Sequence, residues 1–179
     1  MINNMKKILF VGPPGSGKGT QAEILTKKGF IHISSGDIIR KSTDPRIIKY
    51  REVDYKEGKL LKDKLLYELV EKNIPKGNKK YVLDGVVRTI SQAEHAKKMN
   101  WIDGVIYFFL DEKKATERIL KRNEGRSDDN LISVKERFEE YRKKTEPVLK
   151  YLKENFEFYQ IDASRTIEEV NKDVEKVLK

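Results

Sequence analysis

Lys6-Lys7-Ile8-Leu9-Phe10-Val11-Gly12-Pro13-Pro14-Gly15-Ser16-Gly17-Lys18-Gly19-Thr20, continuing into Gln21-Ala22-Glu23-Ile24-Leu25, decides how the chain is read. Ile8 to Val11 form a short apolar run with β-branched and aromatic members, which suits a strand covered on both faces. A glycine-rich turn follows, then a helical stretch. Strand, glycine loop, lysine and helix in that order are the context of a P-loop. Glycines let backbone N–H groups converge without Cβ clashes, at a helix start that already favours anions. Lys18 adds a charge able to follow the β- and γ-phosphates of a nucleotide. The general pattern sets Ser or Thr directly after the lysine; here Gly19 intervenes and the hydroxyl comes at Thr20. A glycine turn with no ligand is the plainer alternative, and the agreement of strand, spacing and lysine speaks against it.

With 179 residues, the chain is long enough for one well-buried core and too short for two ordinary domains. It has no cysteine, which excludes disulfides and cysteine zinc sites. The N-terminus runs directly into the first strand, so no signal peptide is expected, and no apolar run approaches membrane-spanning length. A cytoplasmic protein with no membrane partner is expected. The net charge of +9 invites a nucleic-acid reading. The lysines are scattered among glutamates rather than gathered in a block, so a solvated surface around an anion site is favoured and no nucleic-acid partner is expected.

Outward from the loop, Lys27-Lys28-Gly29 ends the first helix and Phe30 to Ile33 read as a second strand. His32 alternates with apolar neighbours and has no obvious partner nearby in sequence, so it reads as a packed strand residue. Residues 42–78 are polar and helical in character. Pro45 opens one segment with Ile47, Ile48 and Tyr50 inward; Asp63 to Lys72 form another, with Leu65, Leu66, Leu69 and Val70 on one stripe. Together with the preceding turn, the span 34–78 is too long for a plain crossover and reads as a small helical insert over the sheet edge. Tyr81 to Gly85 form a third strand ending on Asp84, and Thr89 to Asn100 a helix. Val105 to Leu110 are a fourth strand. Asp111 caps a helix with Ala115, Ile119 and Leu120 inward. After a loop from Asn123 to Asn130, Leu131, Val134, Phe138, Tyr141, Val148, Leu149 and Leu152 stand at helical spacing, and Pro147 should bend or break that helix near Thr145. Phe156 to Ile161 are a fifth strand. In the last helix Thr166 and Glu169 stand at capping-box spacing, with Ile167, Val170, Val174 and Val177 inward. Strands alternating with helices imply a five-stranded parallel sheet covered on both faces, with its ligand beyond the C-terminal strand ends.

A nucleotide needs cations converging from several elements, and Lys18, Arg40, Arg88, Arg118, Arg122, Arg126 and Arg137 stand at turns and helix ends. On these residues the chain resembles the adenylate kinases along nearly its whole length. Gly12 to Gln21 match their phosphate loop, and Ser34-Ser35-Gly36-Asp37-Ile38-Ile39-Arg40 resemble their monophosphate-site motif. Leu83-Asp84-Gly85-Val86-Val87-Arg88-Thr89 with Gln92-Ala93 resemble their central signature. Arg118 to Arg122, then Gly125 to Asn130, resemble a short lid, and Arg137 with Tyr141 to Val148 the helix after it.

The resemblance implies a three-layer α/β/α P-loop fold with a five-stranded parallel sheet. It also implies a small helical monophosphate-binding subdomain at about 34–78 and a short lid at about 123–130. It implies reversible transfer of the terminal phosphoryl group of ATP to AMP by a monomer, with Mg²⁺ and no zinc. By the same resemblance Gly15, Ser16, Gly17, Lys18, Gly19 and Thr20 wrap the ATP phosphates and Arg118 lies against the ATP base. Arg40 and Arg88 grip the AMP phosphate, and Arg122, Arg126 and Arg137 close over the transfer site. Asp84 holds a water of the Mg²⁺ shell, while Ser35, Gly85 and Gln92, with the backbone of Lys59, Leu60 and Leu61, line the AMP base pocket.

The chain departs from the family at several points. Val86-Val87 replace the usual Phe-Pro, whose proline is associated with a cis peptide that is rare before valine, so the aim of Arg88 is open. Ser35 stands where adenylate kinases usually have Thr and pyrimidine-nucleotide kinases often have Ala. Lys62 replaces an expected proline, and the lid has no metal ligands. Ser35 permits a UMP/CMP or broader monophosphate kinase, whereas Gln92 favours adenine. A nucleotide- or nucleic-acid-binding protein without transfer activity is a further alternative, opposed by the retained Lys18 and arginines.

Overall fold

In the computed structural model, which describes residues 5–55, 59–121 and 131–179, the glycine-loop strand β1 (Lys7–Val11) takes the middle of the sheet. The others are β2 (Ile31–Ser34), β3 (Tyr81–Asp84), β4 (Gly104–Phe109) and β5 (Glu157–Asp162), in the all-parallel order β2-β3-β1-β4-β5. Ile8, Leu9 and Phe10 are at most 1% exposed, because helices cover both faces and an unbroken apolar strand satisfies both. The pleat divides the core. Leu9, Leu83 and Val105 lie in register and pack with Ala93 and Leu152 on one face. Ile8, Phe10 and Ile106 pack with Ala22, Leu25 and Val174 on the other. The chain leaves β1 for β2 on one side and later reaches β4 on the other, so a crevice opens beyond the C-terminal end of β1.

The helices are α1 (Lys18–Thr26), α2 (Ser35–Lys41), α3 (Pro45–Glu52), α4 (Asp63–Asn73), α5 (Ile90–Lys98), α6 (Glu112–Leu120), α7 (Leu131–Glu140), α8 (Val148–Asn155) and α9 (Ile167–Val177). Their starts follow local chemistry. Thr89 accepts from the Gln92 N–H, Asp111 from Lys113 and Lys114, and Thr166 with Glu169 forms a complete capping box. Between α7 and α8, Tyr141–Thr145 widen into a π-helical turn in which the Glu146 N–H reaches the Tyr141 carbonyl at 2.8 Å. Pro147 brings no N–H, and its ring would crowd the carbonyl four residues back; the wider turn relieves both. Among the described residues no helix is long and apolar enough to cross a membrane.

Two positions read as inward face water. Leu120 is 45% exposed, because Ala115 and Ile119 alone supply the buried stripe of α6. Ile167 is 52% exposed at the first position of α9, where its carbonyl, not its side chain, makes the tertiary contact by accepting from Gln21 Nε2 at 2.9 Å. The second strand begins at Ile31 rather than Phe30, although Phe30 is buried just before it. The expected lid at 123–130 lies outside the described residues.

Candidate active site

The glycine loop is held down by close packing. Gly15 has φ +76°, and a Cβ there would meet the Ala115 carbonyl oxygen at 2.6 Å and Ile119 Cγ1 at 2.9 Å, so α6 leaves room for glycine only. Gly17, at φ 84°, caps α1 without any side-chain hydrogen bond, which leaves the first amides of the helix to an anion. Lys18 Nζ donates to the Gly12 carbonyl at 2.8 Å, the Pro13 carbonyl at 2.9 Å and Ser16 Oγ at 3.2 Å. The lysine thus lies folded over its own loop, with Ser16 beneath it at 2% exposure. Gln21 is also 2% exposed; it donates to the Ile167 carbonyl and accepts from Asn171, tying α1 to α9.

A cleft of about 530 Å³ opens over this loop, and Gly15, Lys18, Arg40, Asp84, Arg88 and Arg137 line it together. Gly17, Gly19, Thr20, Ser35, Lys59, Leu60 and Gly85 lie on the same wall or floor. Ser16, Leu61, Gln92 and Arg118 do not line it. Leu61 is 7% exposed in the core. Gln92, 2% exposed, accepts from the Arg88 backbone N–H at 2.7 Å and donates to Asp63 Oδ1 at 2.8 Å, so both ends of its amide are engaged. Arg118 donates to the carbonyls of Ala163, Ser164 and Arg165, bracing the loop after β5. Arg122 and Arg126 fall outside the described residues.

The Val86-Val87 departure leaves Arg88 at the cleft. Among the described residues no peptide bond is cis. Gly85 turns the chain at φ +69°, and a Cβ there would stand 3.0 Å from Ser35 Oγ and 3.1 Å from Arg88 Nη2. The Gly85 carbonyl accepts from both, from Ser35 Oγ at 2.8 Å and from Arg88 Nε at 3.0 Å. Val86 and Val87, 0% and 3% exposed, bury the apolar side of this turn.

His32 has a partner that sequence distance hid. Its Nε2 lies 3.4 Å from Asp84 Oδ2, because β2 and β3 pair in parallel and bring residues 52 apart to one strand end. Burial alone would lower the imidazole pKa, but the hydrogen bond and charge of Asp84, with Asp37 and Glu23, lift it above 6.5. Burial would raise the Asp84 carboxyl, but the His32 hydrogen bond and the charges of Lys18 and Arg88 hold it below 3.8. The histidine's contribution to stability is complete below pH 6.5 and is lost as pH rises through its folded pKa. That of the aspartate is present above pH 3.8 and is lost as pH falls through its folded pKa. His32→Gln should therefore lower the melting temperature most at about pH 5, with the difference shrinking towards about pH 9. Melts of both chains across that range check this; a difference that does not vary with pH would contradict the pairing.

Sequence reasoning also missed residues that shape the site from the 34–78 segment. Tyr50, buried, donates to the Lys59 carbonyl at 2.6 Å and fixes the stretch that enters the cleft. Asp37 pairs with Arg40, and the phenol of Tyr55 accepts from Arg40 Nη1 at 2.8 Å. Asp63 accepts from Gln92 and Ser91. The available signal was two tyrosines five apart on an otherwise polar segment, each with a hydroxyl needing a partner.

Asp84 and Thr20, both lining the cleft, offer oxygen donors. A Cβ at Gly19 would stand 3.8 Å from Asp84 Oδ2, an ordinary contact, so the start of α1 lies beside the carboxylate. Among the described residues no group of three or more His, Cys, Asp or Glu could hold a metal ion. One carboxylate beside a phosphate loop suits a hard cation that keeps most of its waters.

Comparison with known proteins follows the same lines. The family model described as adenylate kinase matches residues 10–157. The adenylate kinase of Prochlorococcus marinus (strain MIT 9301) is 34% identical, over 96% of this chain and 97% of its own. That of strain NATL2A is 36% identical over 97% and 98%. UMP-CMP kinase 1 of Oryza sativa subsp. japonica is 32% identical over 95% of this chain and 72% of its own.

Proposed function

The chain belongs to the adenylate kinase family and is a nucleoside monophosphate kinase, and from that premise we propose which of its residues carry transfer between ATP and AMP. The supporting observation is the convergence of Lys18, Arg40, Arg88 and Arg137 with Asp84 in one cleft. Residues 15–20 wrap the ATP phosphates through backbone amides. Lys18 leaves its loop carbonyls to follow the moving phosphoryl group. Arg40 and Arg88 hold the phosphate of AMP opposite it, and Arg137 neutralises charge between the two. Arg122 and Arg126 join from the 123–130 segment, Arg118 acts on the ATP base side through the loop after β5 that it braces, and Ser35, Gly85 and the backbone of residues 59 and 60 form the base side of the AMP site, with Gln92 and Leu61 supporting them from behind.

No catalytic base is required, because the attacking oxygen belongs to a phosphate whose second pKa is about 6. Catalysis is positioning plus neutralisation of charge spread over the phosphoryl oxygens. Asp84, through water, and Thr20 would hold Mg²⁺, which would supply further charge neutralisation on the ATP phosphates. The Asp84 carboxyl stays ionised for this because His32, Lys18 and Arg88 surround it. Closure of the 34–78 segment and the lid excludes the water that would otherwise hydrolyse ATP. Lys18, Arg40, Asp84, Arg88 and Arg137 all come from one chain, and we read the protein as a monomer acting in the cytoplasm.

The test is a coupled ADP-production assay of ATP with AMP, CMP, UMP and GMP. AMP should turn over fastest. Faster turnover of UMP or CMP would establish the second reading, a pyrimidine-nucleotide kinase. That reading is kept open by Ser35 and by the identity to a UMP-CMP kinase.

A further inference from the structure

Tyr55 stands in the cleft wall with a hydroxyl that the roles above leave unused. Its backbone is fixed, the N–H donating to the Tyr50 carbonyl at 3.0 Å, and its ring leans on that of Tyr50 with centroids 6.0 Å apart. The phenol oxygen accepts from Arg40 Nη1 at 2.8 Å, while the other arm of Arg40 pairs with Asp37. Gly36 lies beneath the guanidinium, where a Cβ would stand 3.2 Å from Nη1 and 3.3 Å from Nη2. Asp37 and Tyr55 thus both hold the Arg40 guanidinium.

A guanidinium only donates, so at this contact the phenol oxygen is the acceptor and its own O–H must point elsewhere. Among the described residues no acceptor meets it. The geometry points to Tyr55 as a binding residue for the phosphate group of the nucleoside monophosphate, donating its O–H to the same phosphate that Arg40 grips. A phosphate oxygen accepts only, so a neutral O–H donor beside an arginine fork complements it. Asp37 offsets part of the charge of Arg40, which raises the worth of an added donor that carries no compensating anion. This inference rests on the reading of Arg40 as the phosphate ligand.

The test compares the full chain with Tyr55→Phe and Arg40→Ala by calorimetric titration with AMP, adenosine and ATP. Tyr55→Phe removes one oxygen and keeps the ring against Tyr50. AMP affinity should fall by about tenfold, the loss expected of one hydrogen bond to a charged group, with ATP affinity and melting temperature unchanged. Arg40→Ala should weaken AMP more. AMP affinity within twofold of the parent in Tyr55→Phe, while Arg40→Ala loses it, would overturn the role of Tyr55 and leave that of Arg40 standing. An equal loss for adenosine would place the hydroxyl at the sugar or base and also overturn it. No effect of either substitution on AMP would overturn the phosphate reading of Arg40, and this inference with it.

Discussion

Replacing Lys18 with alanine is expected to slow phosphoryl transfer by about 10²- to 10³-fold or more, the loss typical when one preorganised charge-stabilising group is removed. The ammonium group lies over its own loop, bonded to the Gly12 and Pro13 carbonyls and to Ser16. Those partners are weak competitors for a polyphosphate, which offers full negative charge where carbonyls offer dipoles. The loop itself does not depend on the lysine for its shape. Gly15 is wedged against Ala115 and Ile119, and Gln21 anchors α1 to α9. Lys18→Ala should therefore keep the melting temperature within a few degrees while losing turnover. Lys18→Met, which keeps the apolar stem, should lose as much, because the missing quantity is charge. Steady-state rates with ATP and AMP, beside melts of both variants, check this. A loss below about tenfold would remove Lys18 from the transfer step.

Most of the fold was legible because its signals are local. The apolar run Ile8 to Val11, the capping residues Asp111 and Thr166, and the disruption at Pro147 each act within a few residues of themselves. The strand order was not, since nothing local says that β3 comes between β1 and β2. That order brings His32 to Asp84 across 52 residues, so the partner was invisible in the sequence. The cationic residues were legible as types at turns, but where they point is a tertiary matter. Arg118 turns to the loop after β5, whereas Arg40, Arg88 and Arg137 face the cleft. The tyrosines of the 34–78 segment were legible as inward or aromatic, but not as hydrogen-bond partners, because a hydroxyl at the end of a long ring reaches beyond what residue spacing reports. Leu120 and Ile167 show the opposite error: apolar residues at helix ends follow a stripe in the sequence after the surface they would pack on has run out.

Arg88→Ala should also lose transfer by 10²-fold or more, again the cost of one electrostatic group at the reacting phosphate. The alternative has a concrete basis, since Val86-Val87 could have turned this arginine away. The turn argues against that. Gly85 at φ +69° lets the chain double back, and its carbonyl takes Arg88 Nε at 3.0 Å. Of the five N–H donors of the guanidinium, this uses one and fixes the plane of the rest. The backbone of Arg88 is held independently by Gln92, itself held by Asp63. Its charge is already felt at Asp84, whose carboxyl it helps to keep ionised. An arginine braced at both backbone and side chain, and electrostatically coupled to the carboxylate of the phosphate end, is preorganised for the transition state rather than for ground-state binding alone. The loss should therefore fall mainly on kcat, with KM for ATP little changed. Arg88→Lys should recover little, because a point charge on a flexible stem cannot reproduce the fork that Gly85 orients. If Arg88→Ala instead retains more than about a tenth of the parent rate, or if lysine restores full activity, the two valines have taken this arginine out of the reaction, and the burden shifts to Arg40 and Arg137.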